Sequence, residues 1–325
     1  MVAWTQHPVA HRLRSHPQLR WLSPAILVDW LVVALLGLAS HWVERQYPYL
    51  RDPEHYLADP SLHFEHLYAE RVPANPGGLL DQLTWYLPVA VILVVGGLVK
   101  HSLHDVHHGL LVLSSSRAIM RLVVESLKNR VGRLRPDFFS RCAWDATAHA
   151  CMGPVGLVKD GRRSFPSGHS STAWQGLLVL ALYLAGKNGA FAFAAPFPRS
   201  GVLQSRLLRL SLVVAPLFLA GWICVTRLED HYHHPTDVLT GSLLGALSAL
   251  VAYSTYYPSP FVLTAKPGAE GADELAVMDK PRLVYGAKEA AVDDAWGLAE
   301  EGGRVRLVED AADESDDERR AGSAA

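Results

Sequence analysis

Arg227, Glu229, Asp230, His231, His233, His234 and Asp237 crowd into the stretch Thr226-Arg-Leu-Glu-Asp-His-Tyr-His-His-Pro-Thr-Asp237. A long apolar run precedes the stretch and another follows it. Ionisable groups at the edge of a membrane are costly to hold there, so such a cluster points to a functional site. His233 and Asp237 are four residues apart, one helical turn. A carboxylate bonded to one imidazole nitrogen fixes the tautomer that leaves the other nitrogen free to attack, which suits His233 to a nucleophile's role. Arg227 offers a planar fork for two phosphate oxygens.

Two upstream stretches complete a phosphate site. In Lys128-Asn-Arg-Val-Gly-Arg-Leu-Arg135-Pro136, Lys128 at a helix end and Arg135 just beyond can converge on one anion; alone, the motif reads equally well as positive charge flanking a span. In Phe165-Pro-Ser-Gly-His169, Gly168 permits close backbone approach and the helix that follows offers unpaired N–H groups to an anion. Ser167 adds a hydroxyl. His169 would stand beside the bound phosphate, able to protonate a departing oxygen. The spacing thus predicts a cradle (Lys128, Arg135, Ser167, Gly168, Arg227), a nucleophile (His233) with its carboxylate (Asp237), and an acid (His169). Preorganised positive charge is the main lever in phosphoryl transfer.

The rest of the chain must position these groups. Half of its 325 residues are hydrophobic and the formal net charge is −2, a balance unsuited to non-specific nucleic-acid binding. The apolar residues lie in blocks matching a hydrocarbon core of about 30 Å. Six spans are expected, near 25–42, 85–99, 109–127, 172–185, 210–225 and 238–256. The fold class is therefore all-α, a polytopic membrane helical bundle with its site at one membrane face. The domain reading is a polar tail over 1–22, a six-span domain over 23–257 and a disordered acidic tail over 258–325. Six spans place the two motif-bearing loops, 128–169 and 226–237, on the same side. Arg117, Arg121, Glu125 and Lys128 share one face of the third span. They read either as an ion-pair ladder between helices or as a polar track ending at Lys128. Cys142 and Cys151 share a hydrophilic loop and could pair if it faces an oxidising compartment; Cys224 reads as a small hydrophobe.

The order Lys-x6-Arg-Pro, Pro-Ser-Gly-His, Arg-x5-His-x3-Asp on three hydrophilic segments resembles the type 2 phosphatidic acid phosphatase (lipid phosphate phosphatase) superfamily, over about 24–257. Asp59-Pro-Ser-Leu-His63, Glu70-Arg-Val-Pro73, His104-Asp-Val-His-His108 and Gly132-Arg-Leu-Arg-Pro-Asp-Phe-Phe139 look like the fungal and plant diacylglycerol pyrophosphate and phosphatidate phosphatases. Thr226 stands where the family often has Ser and keeps the hydroxyl. The resemblance implies a magnesium-independent hydrolase, without cofactor, acting on diacylglycerol pyrophosphate, phosphatidate and by extension lysophosphatidate. In it His233 forms a phosphohistidine and His169 protonates the leaving oxygen, then activates water. It further implies a site facing the lumen or cell exterior, cytosolic tails, and residence in an endomembrane (vacuole, Golgi or ER) or the plasma membrane.

Three rivals share some of these residues. His231, His233, His234 and Asp237, or His101, His104, His107 and His108, have the composition of a metal site. A vanadate-dependent haloperoxidase resembles the same constellation, against which the six spans weigh. A lipid transporter or channel would use the intramembrane charges but not a complete set of nucleophile, acid and clamp.

Overall fold

The computed structural model describes residues 23–67, 69–191, 202–261, 263–265 and 275–277. The polar stretch 1–22 and most of the acidic tail expected beyond 257 lie outside the described residues.

Among the described residues six long helices form the body. Most begin at a Ser or His whose side chain takes up an otherwise unpaired N–H. Helix α1 (Pro24–Arg45) is capped by Ser23. Helix α2 (Leu79–Val99) contains two stretches of wider π-type turns. Helix α3 (Leu103–Val131) is capped by Ser102 and stops at Gly132 in the left-handed conformation. Two short helices, α4 (Phe138–Cys142) and α5 (Val155–Gly161), belong to the loop after α3. Helix α6 (Gly168–Asn188) is capped by Ser167, and α7 (Arg206–Glu229) by Ser205. Helix α8 (Pro235–Tyr256) begins with a capping box between His234 and Asp237.

Each expected span falls inside one of these helices, which run a few residues further at their ends. Four of them, α1, α2, α7 and α8, are long and apolar enough to cross a membrane by length and composition. Helices α3 and α6 are less apolar. The first carries Arg117, Arg121, Glu125 and Lys128, and the second opens on Gly-His-Ser-Ser-Thr. They are also the inner helices: α6 packs against α8, α7 and α3, and most of its side chains are buried. The outer helices turn apolar residues outward, among them Leu27, Leu31, Leu35 and Leu38 on α1. Contiguous exposed apolar surface of this kind marks contact with lipid or another protein. Polar inside and apolar outside is the partition a bilayer imposes.

Close approach of α8 to α6 sets the register of the bundle. A Cβ at Gly241 or Gly245 would collide with the backbone of Ser167 or Ser171. The four-residue spacing of these glycines opens one face of α8 to the α6 backbone, as small residues do in membrane helix pairs.

At one end of the bundle, the long loops after α1 and α3 fold over the starts of α6 and α8. There β1 (Trp144–Asp145) and β2 (Ala150–Cys151) pair antiparallel, and Cys142 and Cys151 form a disulfide. At the other end, Asp105 accepts hydrogen bonds from Tyr183 (2.7 Å), Lys187 (2.6 Å) and Tyr257 (2.9 Å), tying α3 to the C-terminal ends of α6 and α8. Within the expected acidic tail, β3 (Leu263–Ala265) and β4 (Leu275–Val277) form an antiparallel pair. Their apolar Leu, Ala and Val residues separate them from the acid-rich sequence that follows.

Candidate active site

The loops at the first end enclose a cavity of about 600 Å³ lined by Lys128, Arg135, Gly168, His169 and His233, together with Glu70, Glu125, Asp160 and Tyr232. Five of the eight residues singled out by the motifs therefore meet on one surface. Ser167, Arg227 and Asp237 lie behind it.

Lys128 lies in the last turn of α3 and is paired with Glu125 at 3.0 Å. Its ammonium faces the backbone of Gly168, where an added Cβ would come within 2.9 Å of Nζ. Glycine there leaves α6 presenting bare backbone beside a cation at its N-terminus. Glu125 also pairs with Arg163, which in turn donates to the Asn129 side chain at 2.6 Å. Arg117 and Arg121 pair with Asp81 (2.5 Å) and Glu44 (3.0 Å) on other elements, and both line the same cavity. The charged stripe on α3 is thus both the ladder between helices and the polar track.

Arg135 is buried and donates through Nε to the Asp160 carbonyl (3.0 Å) and through Nη2 to its carboxylate (2.9 Å). Arg141 donates to Asp160 (2.7 Å) and to Asp137 (2.8 Å), and His66 Nδ1 meets Asp137 at 2.7 Å. This buried chain holds the segment after α3 against the loop before α6. Tyr232 lies with Arg135, Arg141 and Arg227 around its ring at 4.7 to 5.8 Å, and its hydroxyl donates to the Leu67 carbonyl at 2.8 Å.

His233 is 4% exposed. Its Nδ1 lies 2.7 Å from the Ser164 carbonyl, a pure acceptor, so Nδ1 carries the proton and Nε2 keeps its lone pair. The Asp237 carboxylate, expected to orient this ring directly, is 4.0 Å from Nδ1. It accepts instead from the Ser164 hydroxyl (2.6 Å), the His234 backbone N–H (3.0 Å) and Arg133 (2.7 Å). Asp237 thus caps α8 and anchors the Ser164 loop, which presents the carbonyl to His233. Burial, then the positive charges of Arg135, His169 and Lys128, hold the His233 pKa well below its ordinary value. The ring is therefore neutral, the state a nucleophile needs.

Ser167 is fully buried and occupied as the cap of α6. Its Oγ accepts from the Ser170 N–H and hydroxyl, and its own N–H donates to the Asp237 carbonyl at 3.0 Å. Arg227 is fully buried. It donates to Glu70 (3.1 Å), Asp230 (2.9 Å) and the Thr226 hydroxyl (3.2 Å). The hydroxyl that Thr226 shares with the family's usual Ser is thus the acceptor for Arg227. His169 Nε2 meets the Val72 carbonyl at 3.0 Å, Arg227 at 3.2 Å and Glu70 at 3.3 Å.

Sequence reasoning missed Glu70, Asp160 and Ser164 as parts of this site. Glu70 was visible only within Glu70-Arg-Val-Pro73. Ser164 acts through a backbone carbonyl, which no side-chain pattern reports. Of the two histidine groups weighed as metal sites, His233 and His234 turn to Ser164 and Asp237. In the other, His107 accepts from the Trp30 indole at 3.0 Å and His108 turns to the His104 carbonyl at 2.9 Å. Among the described residues no three His, Cys, Asp or Glu side chains are grouped as metal ligands.

The sequence matches the PAP2 superfamily over residues 89–260. It is 30% identical to lipid phosphate phosphatase 2 of Arabidopsis thaliana, over 78% of this chain and 84% of that one. It is 33% identical to a probable diacylglycerol pyrophosphate phosphatase 1 of Schizosaccharomyces pombe, over 58% of this chain and 66% of that one. The diacylglycerol pyrophosphate phosphatase 1 of Saccharomyces cerevisiae is 28% identical, over 71% and 80%. No solved structure matches the chain.

Proposed function

The chain belongs to the PAP2 superfamily, and on that footing we propose that it is a metal-independent lipid phosphate phosphatase acting on diacylglycerol pyrophosphate and phosphatidate, and on lysophosphatidate, through a phosphohistidine. The observation that carries this reading is the meeting of a neutral, buried His233 with His169, Lys128, Arg135 and the Gly168 backbone on one cavity.

In the first step the His233 Nε2 lone pair forms an N–P bond as the P–O bond to the leaving group breaks. With phosphatidate, the electron pair goes to the diacylglycerol oxygen, which takes a proton from the His169 imidazolium and leaves that ring neutral. With diacylglycerol pyrophosphate it goes to the phosphate oxygen of departing phosphatidate. In the second step water attacks phosphorus, His169 takes its proton, and the N–P pair returns to His233, releasing inorganic phosphate. Lys128, Arg135 and Arg227, with the Gly168 N–H, hold the phosphate; Ser167, expected as a further ligand, instead caps α6 behind the cavity and fixes the turn that presents that N–H. Arg227 reaches the phosphate by exchanging Glu70 for a phosphate oxygen. Asp237 orients His233 through Ser164.

The phosphatase domain spans 23–257 with six transmembrane helices, α3 and α6 being the inner two. Their charges are paired or cavity-facing, as intramembrane charges must be. The site then faces the lumen or the cell exterior, with both tails cytosolic. The Cys142–Cys151 disulfide in the loop beside the site supports an oxidising compartment on that side.

The test is phosphate release from the two lipids by detergent-purified protein in excess EDTA, wild type beside His233→Ala. Release that survives chelation and disappears in the variant is expected. EDTA-sensitive release, or full activity in His233→Ala, would overturn the mechanism.

A further inference from the structure

Glu70 is one of several carboxylates that line the cavity, and it meets His169. Glu70 lies on the loop after α1, lines the cavity, and places one oxygen, Oε2, 3.3 Å from His169 Nε2 and 3.1 Å from an Arg227 Nη1. The proton on His169 can be located from these contacts. Nε2 faces two acceptors, the Val72 carbonyl at 3.0 Å and Glu70. A deprotonated Nε2 would set its lone pair against both. Arg227 Nη1, the one donor near Nε2, has Glu70 Oε2 as its own acceptor. The arrangement is therefore satisfied when Nε2 carries the proton and both donors share the carboxylate.

We propose that Glu70 is a positioning residue for the acid step, holding the proton on His169 Nε2 and releasing Arg227 when phosphate enters. The inference rests on the reading of the chain as a lipid phosphate phosphatase and adds to it a dependence on leaving group. Phosphatidate must expel a diacylglycerol alkoxide, which is strongly basic and leaves only if protonated. Diacylglycerol pyrophosphate expels phosphatidate, whose phosphate is a stable anion and leaves without that help. Glu70 is thus needed most for the monophosphate substrate. Burial pushes the Glu70 carboxyl up, but the His169 hydrogen bond and the His169 and Arg227 charges more than offset it. The group is therefore charged at neutral pH, as the role requires.

The experiment compares kcat/KM on phosphatidate and on diacylglycerol pyrophosphate for wild type, Glu70→Gln and Glu70→Asp in the same detergent. This constant reports events up to the first irreversible step and so leaves out the shared hydrolysis of the phosphoenzyme. Since general acid catalysis contributes about 10²–10⁴-fold, Glu70→Gln should change the ratio of the two constants by about tenfold or more against phosphatidate. Glu70→Asp, which keeps the charge, should restore part of the ratio. Equal losses on both substrates in folded Glu70→Gln would reduce Glu70 to a scaffold residue and overturn the proposal, as would no loss on either. Wild-type protein inert on both lipids would instead overturn the functional reading, and the Glu70 assignment with it.

Discussion

The backbone carbonyl of Ser164 lies 2.7 Å from His233 Nδ1, while the nearer oxygen of Asp237 stands 4.0 Å from the same atom. The proton that fixes the imidazole tautomer is thus held by main chain, and Asp237 holds the main chain by accepting the Ser164 hydroxyl at 2.6 Å. Removing that hydroxyl in Ser164→Ala should loosen the carbonyl without abolishing it. Because small misplacements of a reacting group can cost up to about 100-fold, kcat in Ser164→Ala should fall by about 10- to 100-fold and stay above that of His233→Ala. Combining Ser164→Ala with Asp237→Asn should cost much less than the product of the single losses, since both act on one contact. Fully multiplicative losses would place Asp237 on the ring by another route.

The depressed pKa of His233 has a definite sign in the pH–rate profile. With the neutral ring as the proposed nucleophile, activity should fall when the ring takes a proton. Burial and the charges of Arg135, His169 and Lys128 push that event well below the ordinary histidine value. The acid limb of kcat/KM should therefore lie below about pH 6.5, the unperturbed histidine pKa. Lys128→Met removes a cation facing the ring, which favours the imidazolium, so its acid limb should move to higher pH relative to its own plateau. Stability follows the same linkage. The unfolded chain takes up a proton on this histidine near its ordinary pKa and the folded chain does not, so His233 lowers stability progressively as pH falls through that value. A limb that does not move in Lys128→Met would detach Lys128 from the nucleophile.

Gly241 and Gly245 should tolerate nothing larger. Their α carbons face the backbone of Ser167 and Ser171, so α8 must shift to admit a side chain. Overpacking of this kind costs about 1–3 kcal/mol, and Gly245→Val should lower the thermal midpoint in detergent accordingly. Activity should fall beyond the loss of folded protein, because α8 carries Asp237 and follows His233 directly, while α6 carries Ser167 and His169. An unshifted midpoint would mean that the two helices separate easily.

The disulfide closes a short loop between Cys142 and Cys151, nine residues apart. Chain-entropy arguments give such a bond about 2–4 kcal/mol, so Cys142→Ser with Cys151→Ser, or a reductant, should lower the unfolding midpoint with only a modest effect on kcat. An unchanged midpoint would show that the pairing of β1 with β2 holds the loop unaided.

These residues also show which parts of the molecule a sequence can disclose. His169, His233, Lys128 and Arg135 were legible because each meets the cavity through its own side chain at a spacing tied to a helix end. The six helices were legible as apolar blocks, although the polar α3 and α6 are inner helices rather than plainly lipid-facing ones. The support for the reactive groups was not legible. Ser164 works through its carbonyl. Glu70 reaches His169 across almost a hundred residues of chain, and Asp160 meets Arg135 across 25. Contacts of that range arise from how the loops after α1 and α3 fold over the bundle end, and no local periodicity encodes them.

The proposed mechanism turns on a phosphoryl group carried on His233 Nε2. The direct measurement is rapid quenching of the reaction with phosphatidate labelled in its phosphate, followed by peptide mapping of the trapped protein. An acid-labile, base-stable label is expected on the peptide that contains His233, present in wild type and absent from His233→Ala. Turnover that leaves no labelled protein at any time, or label that persists in His233→Ala, would contradict that mechanism.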